Sequence, residues 1–194
     1  MPIYLDNNAT TQIDPRVSAV LQEVLLQGPL NPSSIHYYGN KAKNILTRSR
    51  RQIAEYLNVY PQEIIFTSGA TEALNGVIFG KAPKSILTSS IEHSAVYKTC
   101  QYLEKTGVVV HYLDPTPAGA IDPMQVQKAL EARSYDLAVF SAANSETGVL
   151  NPIEAIIDLC AHFSVFCLID TVQLMGKEEI KIHPKMDACC FSAH

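Results

Sequence analysis

Nowhere in its 194 residues does this chain hold an apolar run approaching the ~20 residues that a membrane-spanning helix requires. The segment Met1 to Asn8 has no basic stretch followed by an apolar one, so no secretory signal is read there. Excess base is also missing: 15 basic residues face 19 acidic ones, for a net charge of -4. Nucleic acids and anionic membranes call for clustered positive charge, so neither is expected as a partner. The densest basic run, Arg48-Ser49-Arg50-Arg51, falls inside a helical pattern and reads as a solvated helix face. The five cysteines have no CxxC spacing. Cys160, Cys167, Cys189 and Cys190 lie in apolar segments and read as small buried hydrophobes, which suits a reduced, cytoplasmic setting. No two His or Cys share a zinc-ligand spacing, so no metal is expected. Walker A and GxGxxG loops are absent, which disfavours ATP and dinucleotides. Internal repeats and low-complexity linkers are absent too.

What is present is an ordinary globular composition, 47% apolar and 18% charged, long enough for one domain with a sizeable core. Asp14-Pro15 places a capping carboxylate before a proline suited to the first helical position, and predicts a helix through Val17, Val20, Leu21, Val24 and Leu25. Gly28-Pro29 ends it, and residues 29 to 38 read as loop. A second amphipathic helix is predicted after Gly39, with Ala42, Ile45, Leu46, Ile53 and Leu57 on one face. From there the chain alternates. Strands are predicted at Glu63–Phe66, Ser85–Thr88, Val108–Leu113, Leu137–Phe140, Val165–Ile169 and Asp187–Phe191, with helices between most of them. Asp122-Pro123 repeats the cap-plus-proline start. The expected class is α/β, a mostly parallel sheet sandwiched by helices.

In such a sheet, ligands bind beyond the carboxyl ends of the strands. Those ends carry Thr67 to Thr71, Ser89 to His93, Ser141 to Glu146, Asp170 to Gln173 and Ser192 to His194. Hydroxyls, amides and imidazoles dominate, with few charges, which suits a bound organic cofactor better than a metal. Ser68-Gly69-Ala70-Thr71 is either a plain capped helix start or a phosphate seat at a helix N-terminus. Asp170 leaves a buried strand, and serves either as a structural ion pair or helix cap, or as the carboxylate that holds a protonated ring nitrogen. Gln173 sits where it reaches the same side. His93 is either a structural histidine or an imidazole that stacks on a flat ligand and moves protons. Asn144 lies on a turn that lines the cleft or simply forms an Asx turn. His36, His111, His162 and His183 have weaker claims.

The order of these segments resembles the cysteine desulfurases, pyridoxal-phosphate enzymes of the class V aminotransferase group. The resemblance rests on Tyr4-Leu5-Asp6-Asn7-Asn8-Ala9-Thr10-Thr11, Asn31-Pro32-Ser33-Ser34-Ile35-His36 with Gly39, and Phe66-Thr67-Ser68-Gly69-Ala70-Thr71-Glu72. It continues through Glu92-His93, Glu146-Thr147-Gly148, Ile169-Asp170-Thr171-Val172-Gln173 and Phe191-Ser192-Ala193-His194. Ser145, where the family usually has a second asparagine, is a departure. The resemblance implies a fold type I large domain, incomplete here, with residues 1–14 belonging to the small domain and 15–194 to the large one.

It further implies that pyridoxal 5'-phosphate is held by Ala70, Thr71, Ser192 and His194 at its phosphate. His93 would stack on the ring and transfer protons, and Asp170 would pair with the ring nitrogen. Gln173 and Asn144 would face the phenolic oxygen or the substrate. The implied reaction converts L-cysteine to L-alanine and passes sulfur as an enzyme persulfide toward iron-sulfur cluster or thio-cofactor synthesis. The implied partners are a second copy of the chain, forming a homodimer, and a sulfur-acceptor or scaffold protein. The family's Schiff-base lysine falls immediately after His194, and its catalytic cysteine and substrate-binding arginine fall further downstream. The ending therefore reads either as a break before a cofactor-bearing lysine or as a shortened chain, inactive alone. A selenocysteine lyase, and a truncated non-catalytic binding module, are the alternative readings.

Overall fold

The computed structural model describes residues 3–179 and 181–193. It divides into two compact units, one ending at Phe66 and the other spanning Thr67–Ala193.

The first unit holds α1 (Pro15–Leu25), α2 (Tyr37–Leu57) and a 3-10 turn at Pro61–Glu63. The Asp14 carboxylate accepts from the Arg16 N–H at 2.8 Å, and Pro15 occupies the first turn, as the sequence predicts. Helix α2 starts earlier than expected. His36 Nδ1 accepts from the Gly39 N–H at 3.4 Å, so the helix begins at Tyr37 and Gly39 lies within its first turn. There the glycine has a steric reason: a Cβ on Gly39 would lie 2.0 Å from the backbone oxygen of Ser34. Gly39→Ala is expected to force the 31–36 turn off the helix, at about 1–3 kcal/mol of overpacking strain. Urea denaturation followed by helical circular dichroism checks this, and an unchanged midpoint would contradict it.

The strand predicted at Glu63–Phe66 does not form. Glu63 closes the 3-10 turn, and Ile64 to Phe66 are extended without a ladder partner among the described residues. The β-propensity of Ile64 and Ile65 cannot produce a strand without a neighbour to accept its hydrogen bonds. The segment is tied instead to Arg50, whose Nε donates to the Ile64 carbonyl at 3.1 Å and whose guanidinium sits 5.0 Å from the Phe66 ring centre. Arg50 is thus half-buried and engaged, whereas Arg48 and Arg51 are solvated as expected.

The second unit is a five-stranded sheet with helices on both faces. Its elements run α3 (Ala70–Lys81), β1 (Ser85–Ser89), α4 (Ser94–Lys105), β2 (Val109–Leu113), α5 (Pro123–Ala132), β3 (Leu137–Ser141), α6 (Ile153–His162), β4 (Phe166–Asp170) and β5 (Ala188–Cys190). All pairings are parallel, in the order β2-β1-β3-β4-β5. Predicted strand ends differ from observed ones by a residue or so; β3 runs on to Ser141 and β4 to Asp170. Asp122 caps α5 through the Met124 N–H at 2.9 Å, the second cap-plus-proline start to form as predicted.

Alternation along the strands feeds two cores. Leu87, Ala138, Phe140, Cys167 and Ile169 pack with Val126, Leu130, Ile156 and Ile157 on the α5/α6 face. Ile86, Leu137, Val139 and Leu168 pack with Leu74, Ile78, Val96 and Leu103 on the α3/α4 face. Burying each large aliphatic side chain contributes about 1.5–3 kcal/mol. Of the cysteines, Cys100, Cys160, Cys167 and Cys190 are buried, while Cys189 is only half-buried because its side chain lies at the margin of the sheet. Burial pushes the Cys100 and Cys190 thiols up to about 12 and raises Cys189, while the neighbouring Cys160 thiol, together with burial, raises Cys167, which keeps them protonated and unreactive.

Among the described residues no group of His, Cys, Asp and Glu is arranged to hold a metal. Among the same residues no helix is long and apolar enough to cross a membrane.

Candidate functional site

The strand order creates the site. After β1 the chain passes through α4 outward to β2, then crosses by α5 to β3 and continues the other way to β4 and β5. The connections leaving β1 and β3 therefore diverge to opposite faces of the sheet, and a crevice opens where they part. Ligands of open α/β sheets bind at such a switch point.

From β1, the chain runs Ser89 to Glu92 and delivers His93 as the cap of α4. His93 Nδ1 accepts from the Ala95 N–H at 3.1 Å. That bond uses the Nδ1 lone pair, which assigns the ring proton of the neutral imidazole to Nε2. The residue is exposed, so its ring is accessible to a ligand.

From β3, Asn144 turns the chain. Its Oδ1 accepts from the N–H groups of Glu146 (3.0 Å) and Thr147 (2.9 Å) and from the Thr147 hydroxyl (3.1 Å). Its amide donates to the Ile91 carbonyl at 3.0 Å, across the crevice floor. The Asx turn and the cleft-lining position are thus one arrangement, and Asn144 ties the β3 loop to the β1 loop.

From β4, Asp170 stands at the strand end, 6% exposed. Its Oδ1 accepts from the Val172 N–H at 3.0 Å. Burial raises its pKa, while the Val172 bond and the His93 side chain, within electrostatic reach, pull it down. Gln173 follows half-buried, its Oε1 accepting from Lys177 Nζ.

Helix α3 precedes β1 and packs against α4 and β5. Gly69 is its N-cap and provides no side-chain bond to the first turn, and a Cβ there would meet open space. The N–H groups at Ala70 and Thr71 begin the helix, and Thr71 is exposed. Glu72 reaches back to the Ser68 N–H at 2.7 Å, which fixes the entering loop and holds its carboxyl below the usual range. Ser192 is half-buried just past β5. His194 lies outside the described residues.

One group at the crevice floor plays no part in the sequence reading except as the neighbour of His93. Glu92 is buried, accepts from the Ser89 hydroxyl at 2.6 Å, and is pushed up to about 7, chiefly by loss of water. The only signal in the sequence is its position between two strand-end serines and a histidine. Its burial depends on β3, far away in the chain.

Residues 3–194 match the family described as Aminotransferase class-V. The chain is 43% identical over 204 residues to a cysteine desulfurase IscS of Pseudomonas aeruginosa (strain UCBPP-PA14), a match covering 100% of this chain and 50% of that protein. Among solved structures, a NifS-like protein superposes with a TM-score of 0.91 at 33% identity, over 100% of this chain and 55% of that one. SspA in complex with cysteine gives 0.91 at 32% identity, over 98% and 57%. The chain spans about half the length of the curated relatives it matches.

Proposed function

This chain belongs to the aminotransferase class-V family, and from that membership we propose that it forms the cofactor-binding portion of a cysteine desulfurase. The observation that carries the reading is the pairing of a buried carboxylate, Asp170, with an accessible imidazole, His93, at the mouth of the sheet's switch point. A scaffold has no use for a desolvated carboxylate there.

The residues present fit pyridoxal 5'-phosphate. The uncapped first turn of α3 at Ala70 and Thr71 offers N–H groups and the positive end of a helix dipole to its phosphate, with Ser192 and His194 as further proposed ligands. Asp170 lacks a fixed cation of its own, which a protonated ring nitrogen would supply. When bound, the cofactor serves as an electron sink for the pair left on the substrate α-carbon. Asp170 keeps the ring nitrogen protonated. His93 covers the ring and moves a proton, its Nδ1 held by the α4 cap so that Nε2 is the working nitrogen. Asn144 and Gln173 would face the phenolic oxygen or the substrate.

L-cysteine is the proposed substrate and L-alanine the product, with sulfur leaving as a protein-bound persulfide toward iron-sulfur or thio-cofactor synthesis. The same reading assigns residues 1–14 to a small domain and 15–194 to the large one, and expects a cytoplasmic homodimer that hands sulfur to an acceptor or scaffold protein. Similarity to SspA, solved with cysteine, supports cysteine as a substrate. Titration of the full-length protein with pyridoxal phosphate is expected to give a protein-shifted absorbance band, and added L-cysteine to give alanine and sulfide under reductant in equal amounts. Cofactor uptake without alanine would exclude the desulfurase.

A further inference from the structure

Two buried side-chain atoms among the described residues have no hydrogen-bond partner: Glu92 Oε2 and Ser141 Oγ. They belong to one cluster. Glu92 follows β1, Ser141 ends β3, and Ser141 lies close enough to the carboxyl to lower its pKa although the two orphaned atoms are not at bonding geometry. Asp170, paired with Ser141 across the β3–β4 ladder, bears on the same carboxyl with like charge. A buried polar atom left without a partner is destabilising, and a small turn of either side chain would let these two bond to each other.

An ionised Glu92 would accept from the Ser141 hydroxyl and a neutral one would donate to it, so the surroundings of the pair decide where the proton sits. The Glu92 Oε1 already takes the Ser89 hydroxyl proton at 2.6 Å. The groups that face Glu92 are Asp170 from β4, the Cys100 thiol from α4, and the adjacent His93; none is a fixed cation. Two carboxyls in one dry cluster cannot both ionise cheaply. Asp170 has a backbone N–H and an imidazole in its favour, whereas Glu92 is the more completely desolvated. The proton belongs on Glu92.

We propose that Glu92 is a positioning residue carried as the neutral acid, donating from Oε2 to Ser141 Oγ after a small turn of either side chain, so that it clamps the His93-bearing turn onto β3 and leaves Asp170 as the anion of that buried cluster. The protonation itself stands on the structure alone; its use in aiming His93 and sparing Asp170 rests on the pyridoxal-phosphate reading above.

The test combines carbon-13 labelling of glutamate side chains with the variants Glu92→Gln and Glu92→Ala in the full-length protein without cofactor. One glutamate carboxyl resonance is expected to titrate with a midpoint near 7, apart from the rest, and to vanish in Glu92→Gln. If every glutamate titrates in the ordinary carboxylate range, the proposal is overturned. Gln retains an acceptor for Ser89 and a donor for Ser141, so its pyridoxal-phosphate affinity is expected to stay within about threefold of wild type, against a loss of about tenfold for Ala. Should Glu92→Ala fail to fold, the resonance and Glu92→Gln still decide. Affinity that falls as far in Glu92→Gln as in Glu92→Ala would also overturn it, because a charge would then be required.

Linkage gives a further readout. The folded-state pKa of Glu92 lies above its ordinary 4.5, so wild type loses stability as pH rises from 4.5 through about 7, while Glu92→Gln does not. The melting temperature of Glu92→Gln is therefore expected to gain on wild type across that window and hold its lead above it; equal curves would contradict the neutral acid. Failure of the wild-type protein to take up pyridoxal phosphate would sink the cofactor reading and leave the glutamate resonance to decide the proton.

Discussion

Asp170→Asn in the full-length protein is expected to lower cysteine turnover about a thousandfold, the scale of losing a preorganised electrostatic partner of the transition state. Cofactor occupancy is expected to change little. Asn has the same shape and keeps an oxygen for the Val172 N–H, now 3.0 Å from Asp170 Oδ1, so the strand end stays in place. On the proposed reading, what disappears is the negative charge that would hold a ring nitrogen protonated and so let the bound cofactor act as an electron sink. The buried setting magnifies the effect, because at 6% exposure little solvent remains to replace that charge. Measured kcat with the absorbance of bound cofactor separates the two consequences. Full turnover with cofactor bound would show that Asp170 is a structural carboxylate and nothing more.

The second large effect is on stability, at Asn151. This residue is 7% exposed and uses both ends of its amide. Oδ1 accepts from the Ile121 N–H at 2.8 Å, and Nδ2 donates to the Ser141 carbonyl at 2.8 Å. It thereby joins the segment entering α5 to the end of β3, below the crevice. Asn151→Leu keeps the volume but strands one buried backbone donor and one acceptor. Each stranded group costs about 1–3 kcal/mol, so the variant is expected to lose roughly 2–4 kcal/mol. At about 2–4 °C per kcal/mol for a chain of this size, the melting temperature should fall by roughly 5–15 °C. Asn151→Asp keeps the acceptor for Ile121 and loses only the donor, and should fall between. A leucine variant as stable as wild type would mean that water satisfies both backbone groups.

Much of the fold was legible because its signals are local. Asp14-Pro15 and Asp122-Pro123 start helices through bonds that span two residues, and both form as read. The apolar runs at Leu137–Phe140 and Val165–Ile169 are strands buried on both faces, as unbroken hydrophobic segments of parallel sheets are. The failures are equally instructive. Glu63–Phe66 has strand composition, yet a strand is a relation between two segments, and this one is bound to Arg50 of α2 instead. Helix α2 begins two residues before Gly39 because the cap is a histidine, which lies outside the usual Ser, Thr, Asp and Asn set.

The proposed site divides along the same line. Asp170, His93, Asn144 and the Ala70-Thr71 turn stand out because strand ends in an α/β chain are where chemistry gathers. Glu92 did not stand out, because nothing within its own segment says that water is excluded from it. The sequence by itself determined most of the helices and strands, that the sheet is parallel, and which polar residues stand at the carboxyl ends; these follow from hydrophobic period, capping and turn chemistry within a few residues of each position. Tertiary structure alone decided the order β2-β1-β3-β4-β5, and with it the crevice between β1 and β3. It also decided that a glutamate from the turn after β1, a serine of β3 and an aspartate of β4 share one dry cluster, since burial and the proton it retains are properties of neighbours some 50 and 80 positions away along the chain.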